Sequence, residues 1–263
     1  MCQYSSMRAP QFSSNERPAD IMDAAGRWLA AESGWRWVAS RHTAEILDGT
    51  LTLRLILQSS TWSRAGVATW VRLRISVLDS NLRSWRLARP RETVFPDSKL
   101  PPLAFNTMLG SVEAELGNVE CSGLHQEPPA PHAINLDEFV IGFHQRVLPV
   151  LNLFPSSSML AKSLPDPWLT AVDSGLIEQA LARDDIESAA LLMRRYMERP
   201  LSGEQSWSDR IDGFSLGWES ALSPGQPPQY GVGALGWLAG SHGLPGPLTF
   251  QSPHSQSTGN PRP

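Results

Sequence analysis

Residues 47–58 read LDGTLTLRLILQ, and two signals in this stretch decide the fold. Asp48-Gly49 is the strongest short-range hairpin signal a sequence offers, because a type I′ turn needs positive φ at both central residues. After it, Thr50 to Gln58 alternates: Leu51, Leu53, Leu55 and Leu57 share one face, while Thr52, Arg54, Ile56 and Gln58 share the other. A reversal followed by a strand with one leucine face predicts an antiparallel sheet, packed on one side and wet on the other.

The pattern extends in both directions. Upstream, WRWVASR (35–41) and AEIL (44–47) read as short strands, the second leading into the hairpin. Before them Ile21, Ala24, Ala25, Trp28 and Leu29 recur at steps of three and four, which predicts a helix from about Asp20 to a glycine cap at Gly34, with Trp28 and Leu29 in the core. Downstream of a polar loop, QSSTWSRAG (58–66), residues 67–78 repeat the alternation. There Val71, Leu73, Ile75 and Val77 oppose Trp70, Arg72, Arg74 and Ser76.

Beyond the sheet the signals thin. DSNLRSWRLARPR (79–91) reads as a turn and a basic segment with an edge strand around Trp85, and the proline-broken stretch 92–135 leaves room for one helix, Thr107 to Glu115. Leu136, Val140, Phe143, Val147 and Leu151 form an apolar helical stripe interrupted by Pro149. DSGLIEQALARDDIESAALLMRRYMERP (173–200) predicts two helices, with Ile177, Ala180 and Leu181 packed in the first. In the second Ile186, Ala189, Ala190, Met193 and Tyr196 or Met197 pack, and Asp184 or Asp185 caps it. After Pro200 the pattern fades: Trp207, Phe214 and Trp218 suit a short docked helix, but proline, glycine, serine and glutamine dominate from Ser223.

These readings divide the chain into a disordered lead-in (1–18), an α+β domain (19–155), a helical extension (156–200) and a mostly disordered tail (201–263). The α+β domain is an antiparallel β-sheet with helices on one face. With 263 residues, 41% hydrophobic, the chain has material for a substantial core. Cys2 and Cys121 offer neither a disulfide framework nor metal-ligand spacing, and no apolar run reaches the length of a membrane span. A cytoplasmic protein without membrane contact is expected.

Net charge is only −4, yet it is unevenly spread. Between Arg27 and Arg91 eleven arginines face four acids, a local +7 that leaves −11 for the rest. Of 22 basic residues only Lys99 and Lys162 are lysine. That skew reads first as codon usage, since guanidinium chemistry selects arginine only at bidentate sites.

The motifs that carry chemistry are weak. Gly231-Val232-Gly233-Ala234-Leu235-Gly236 matches GxGxxG in letters but lacks the strand, helix and later acid of a dinucleotide unit, so no cofactor is expected. Cys121, His125 and His132 have no fourth ligand, so no metal site is expected. Ser59, Ser60 and Ser63 lack a nucleophile elbow, and His42 is the one histidine placed near the sheet, so no catalytic residue is assigned. Asp137-Glu138 and Asp184-Asp185 read as helix-end carboxylates.

What remains is the polar sheet face with its adjoining loop. Arg54, Gln58, Trp62, Arg64, Trp70, Arg72 and Arg74 are its candidate binding residues, with Trp85 nearby. Arginine forks and tryptophan rings suit an acidic protein surface or, as the alternative, stacked bases of a single-stranded nucleic acid. The competing reading is an ordinary wet face on which Arg and Trp pack across strands.

The block from Gly34 to Arg86 resembles the bacterial domain of unknown function 4304 family, on Gly34-Trp35, Leu57-Gln58-Ser59-Ser60, Trp62-Ser63 and Val71 to Val77. Members run from a helix through a glycine-aromatic start and a hairpin to a QxSxxN-type loop and a further strand. Ser63 stands where asparagine is commoner in the family, and the resemblance covers about residues 20–155. It implies an α+β fold and an immunity-type, toxin-neutralising role. The expectation is therefore a non-catalytic protein-interaction module. A single-stranded nucleic-acid binder is the alternative, and a hydrolase using the serine loop is third.

Overall fold

The computed structural model describes residues 17–59, 71–90, 92–94, 103–108, 143–169, 174–199, 206–222 and 231–252. They form an α+β protein with an antiparallel sheet, as the alternation predicts. The chain divides into two compact units that interleave along the sequence, residues 1–77 with 106–152 and residues 78–105 with 153–263.

In the first unit α1 spans Pro18–Ser33 and ends where Gly34, at φ 68°, takes the left-handed cap and closes the last turn onto Ala30 and Ala31. The strands are β1 (Arg36–Val38), β2 (Thr43–Asp48), β3 (Leu51–Ser59), β4 (Val71–Asp79) and β5 (Leu103–Met108), in sheet order 1-2-3-4-5. β1 pairs antiparallel with β2, and β2 with β3. Leu51, Leu53, Leu55 and Leu57 are all buried, and Ala44 and Ile46 share their face by register. Met22, Ala25, Trp28 and Leu29 are buried on α1, the helix that packs on these strands. Trp37 joins this layer by donating its indole N–H to Asp23 of α1 at 2.7 Å, and its ring fills the space beside Gly26 where a side chain would stand.

Two local details differ from expectation. The hairpin pairs Asp48 with Leu51, so its central residues are Gly49 and Thr50, and positive φ falls on Gly49 alone. That pattern is of the II′ kind, which needs glycine only at the first central position. Pro149 is accommodated by a π-helical turn, Phe143–Val147, that leads into the short α3, Leu148–Leu151. A proline cannot donate to the residue one turn back, and widening that turn removes the clash.

The second unit is helical: α2 (Ser80–Ala88), α4 (Ser157–Ser163), α5 (Asp166–Leu169), α6 (Ser174–Leu181), α7 (Ile186–Glu198), α8 (Trp207–Ala221) and α9 (Gly231–His242). Its core gathers Phe154, Trp168, Leu176, Leu192, Phe214 and Leu238, all buried. The α6–α7 pair appears where the periodicity places it, with Ile177, Ala180, Leu181, Ala189, Met193 and Met197 inside. Asp185 is the cap, its carboxylate accepting from the Ser188 N–H, while Asp184 turns the chain at φ 56°. Ile186 is exposed instead of packed, since it occupies the first helical position immediately after that turn.

Three further expectations are overturned. The segment around Trp85 is the helix α2, not an edge strand: Asp79 accepts from the Asn81 N–H as its cap, and Leu82, Trp85 and Arg86 are buried at helical spacing. Thr107 and Met108, expected to open a helix, end β5, and residues 109–115 lie outside the described residues. The span 201–263, expected as a mostly disordered tail with at most a short helix at Trp207, Phe214 and Trp218, contains the longer α8 there and also α9. Ser206 and Asp209 form a capping box at the start of α8, and Phe214, Leu235, Trp237 and Leu238 are buried. The glycines that looked like flexible punctuation are contact points: Gly217 abuts the Gly233 carbonyl, and Gly236 abuts that of Phe214. The GxGxxG letters thus lie at the start of and within a packed helix.

Candidate interaction face

The face of the sheet opposite the leucines is built by register. Arg36 of β1 pairs with Glu45 of β2, and Glu45 with Arg54 of β3, so three charged side chains stand in a row across three strands. Glu45 takes hydrogen bonds from Arg36 and, at 3.2 Å, from the Nε of Arg54, and Arg41 from the turn after β1 stands 3.8 Å away. Glu45 is only 4% exposed, whereas Arg36 and Arg41 are 70% and 52% exposed. One carboxylate therefore lies beneath three guanidinium groups. Burial would push the Glu45 carboxyl up, but the hydrogen bonds from Arg36 and Arg54 and their charges outweigh it and hold it below the usual carboxylate range.

This face is less wet than alternation implies. Thr43, Glu45 and Ser76 are buried on it, and Thr52, Arg54, Ile56 and Gln58 are half-buried. Of the expected binding residues, Arg54 is engaged with Glu45, and Gln58 stands two same-face positions further along β3, beyond Ile56. Arg74 is half-buried on β4 and has an interaction partner. Arg72 belongs to β4, but its side chain, like Trp62, Arg64 and Trp70, lies outside the described residues. Trp85 is not on this face: it is buried in the second unit, with its ring 5.6 Å from that of His242.

The +7 segment is thus split between two environments. Arg36, Arg41 and Arg54 surround Glu45, whereas Arg86 is buried in the second unit and donates from Nε to Glu178 at 2.8 Å. Glu178, free of solvent, also accepts from the Thr93 hydroxyl and the Val94 N–H. Asp79, equally buried, accepts from Arg183 at 2.8 Å and from Gln179 at 3.0 Å. Each buried carboxylate has several donors, the condition for tolerating such a charge. Both pairs fasten α2 and the residues after it to α6, and neither faces a surface.

Among the described residues no group of three His, Cys, Asp or Glu side chains is placed to hold a metal, and no helix is long and apolar enough to cross a membrane. Cys121, His125 and His132, and likewise Ser60 and Ser63, lie outside the described residues. His42 sits at the end of the turn after β1 at φ 45°, with Nδ1 buried and unpartnered. Sequence reasoning missed the central role of Glu45 and of Arg36 and Arg41; the signal was the hairpin register. No protein-family model, no curated protein and no solved structure matches this chain.

Proposed function

We propose that this protein is a non-catalytic binding module whose outer sheet face docks an acidic protein surface. The observation that carries the reading is the surplus of guanidinium over carboxylate at Glu45: three arginines share one acid, and the two most exposed are turned to solvent. Glu45 holds these forks in place, so little side-chain freedom is lost when a partner carboxylate takes them. Arginine, planar and with five donors, suits that bidentate contact. Such complementarity acts mainly on association rate and partner choice.

The test is fluorescence anisotropy of the full chain against a labelled oligo-glutamate peptide and a labelled oligo-thymidine, each at low and high salt. The peptide should bind at low salt, weaken with salt, and lose most of its affinity when Arg36 and Arg41 are both replaced by Gln. No peptide binding at low salt overturns the proposal. Tighter binding of the oligonucleotide, with a steep salt slope from counterion release, transfers the face to nucleic acid instead.

A further inference from the structure

The second unit contains a pair of arginines that no acid among the described residues neutralises. Arg210, in the first turn of α8, is only 2% exposed. Its Nη1 donates to the carbonyls of Met197 and Arg199, both at 3.0 Å, and of Tyr196 at 3.4 Å, closing the end of α7. Its Nε is buried with no partner. Arg199 is half-buried, lies over the Tyr196 ring at 4.6 Å, and also has a buried Nε without a partner. The guanidinium of Arg210 approaches the same ring at 6.0 Å.

Among the described residues, the carboxylates adjoining the two arginines in sequence are committed elsewhere. Glu198 accepts from the Gln251 N–H, and Asp209 is held by Ser206 in the capping box. Among the described residues neither arginine belongs to an ion pair. The carbonyl end of α7 supplies about half a negative charge, against two positive ones. Burial, followed by the charge of Arg199, pushes the Arg210 guanidinium below its ordinary value. Capping explains the Nη1 contacts of Arg210 but not Arg199, nor the unused Nε side of both groups.

We infer that Arg199 and Arg210 form a site for a phosphate-class oxyanion, gripped through the Nε edges of two guanidinium groups beside Tyr196. A tetrahedral dianion matches both the charge and the two forks, and paired N–H donors on one edge are the usual bidentate grip on phosphate. Arg199, being half-buried, is the solvent side of the pair.

Thermal unfolding of the full chain in about 10 mM inorganic phosphate, against chloride at matched ionic strength, tests this directly. An ion that binds only the folded form raises the midpoint, here by about 2–4 °C once phosphate is well above its dissociation constant. Arg199→Gln, which touches none of the α7 carbonyls, should retain the fold by circular dichroism and lose that rise. Arg199→Lys, which keeps the charge without the fork, should retain only part of it. No phosphate-specific rise in the wild-type chain overturns the site, as does an equal rise in Arg199→Gln.

Discussion

Replacing Gly236 by alanine puts two physical effects in opposition. In a helix interior alanine is favoured over glycine by about 1 kcal/mol, so propensity alone predicts a more stable protein. At Gly236, however, a Cβ would stand 1.9 Å from the Phe214 carbonyl oxygen, 2.8 Å from its carbon and 3.0 Å from the Trp218 nitrogen. The shortest of these is about 1.5 Å inside an ordinary contact. All three obstacles are backbone of α8, which cannot rotate away as a side chain can, so α8 and α9 must separate along a well-packed seam. Overpacking costs about 1–3 kcal/mol, more where the main chain must move. The net expectation is a loss of about 2 kcal/mol, or about 4–8 °C in midpoint. Gly213→Ala is the internal control, since its Cβ would meet only Val232 Cβ at 3.9 Å, an ordinary contact. That variant should gain up to about 1 kcal/mol. Urea unfolding by circular dichroism gives the sign, and hydrogen exchange in residues 206–242 locates the change. A Gly236→Ala protein as stable as the parent, or a Gly213→Ala protein equally weakened, would refute the reasoning.

Three other outcomes are expected. Glu178→Ala should cost about 3–5 kcal/mol in urea unfolding, because it leaves the buried Arg86 charge without its carboxylate and the Val94 N–H without an acceptor. Since the Glu45 carboxyl is depressed in the folded protein, its stabilisation is complete above the unfolded glutamate range, about pH 4.3, and is lost as pH falls through the lower folded value. A Glu45→Gln chain, scanned by thermal unfolding between neutral and acid pH, should therefore show a flatter decline than the parent. Arg195 spans the Ala161 carbonyl at 2.8 Å, the Leu164 carbonyl at 2.6 Å and Asp166 at 2.7 Å, so Arg195→Lys should lose about 1–2 kcal/mol despite its conserved charge.

The sheet unit was legible because its signals are local. Alternation places the four leucines of β3, and Gly34 ends α1 as a glycine at that position should. The arrangement at Glu45 was not legible, because one residue of turn placement decides it. A turn centred on Asp48-Gly49 sets Glu45 opposite Thr52, whereas the observed turn on Gly49-Thr50 sets it opposite Arg54. Both turns keep the same side chains on each face, so the face was readable and the pairings on it were not. The helical unit was obscured for a different reason. In α8 and α9 glycine serves close packing, and tertiary contact overrides the low propensity by which a single sequence is read. α2 was lost because Asp79-Ser80 marks a turn as readily as a helix cap. Its basic letters also hid Arg86, whose partner Glu178 lies 92 residues away.

That separation has a meaning in time. The second unit is assembled from residues 78–105 and 153–263, and Asp79 waits for Arg183, 104 residues later in the chain. At a synthesis rate of about 5–20 residues per second, α2 leaves the ribosome about 5–20 s before the residues that neutralise Asp79 and Arg86 exist. During that interval its buried face, Leu82, Trp85 and Arg86, has no home. A ribosome stalled between residues 105 and 178 would thus expose a sticky helix ready for a chaperone, and a copy cut at residue 152 would carry that helix permanently.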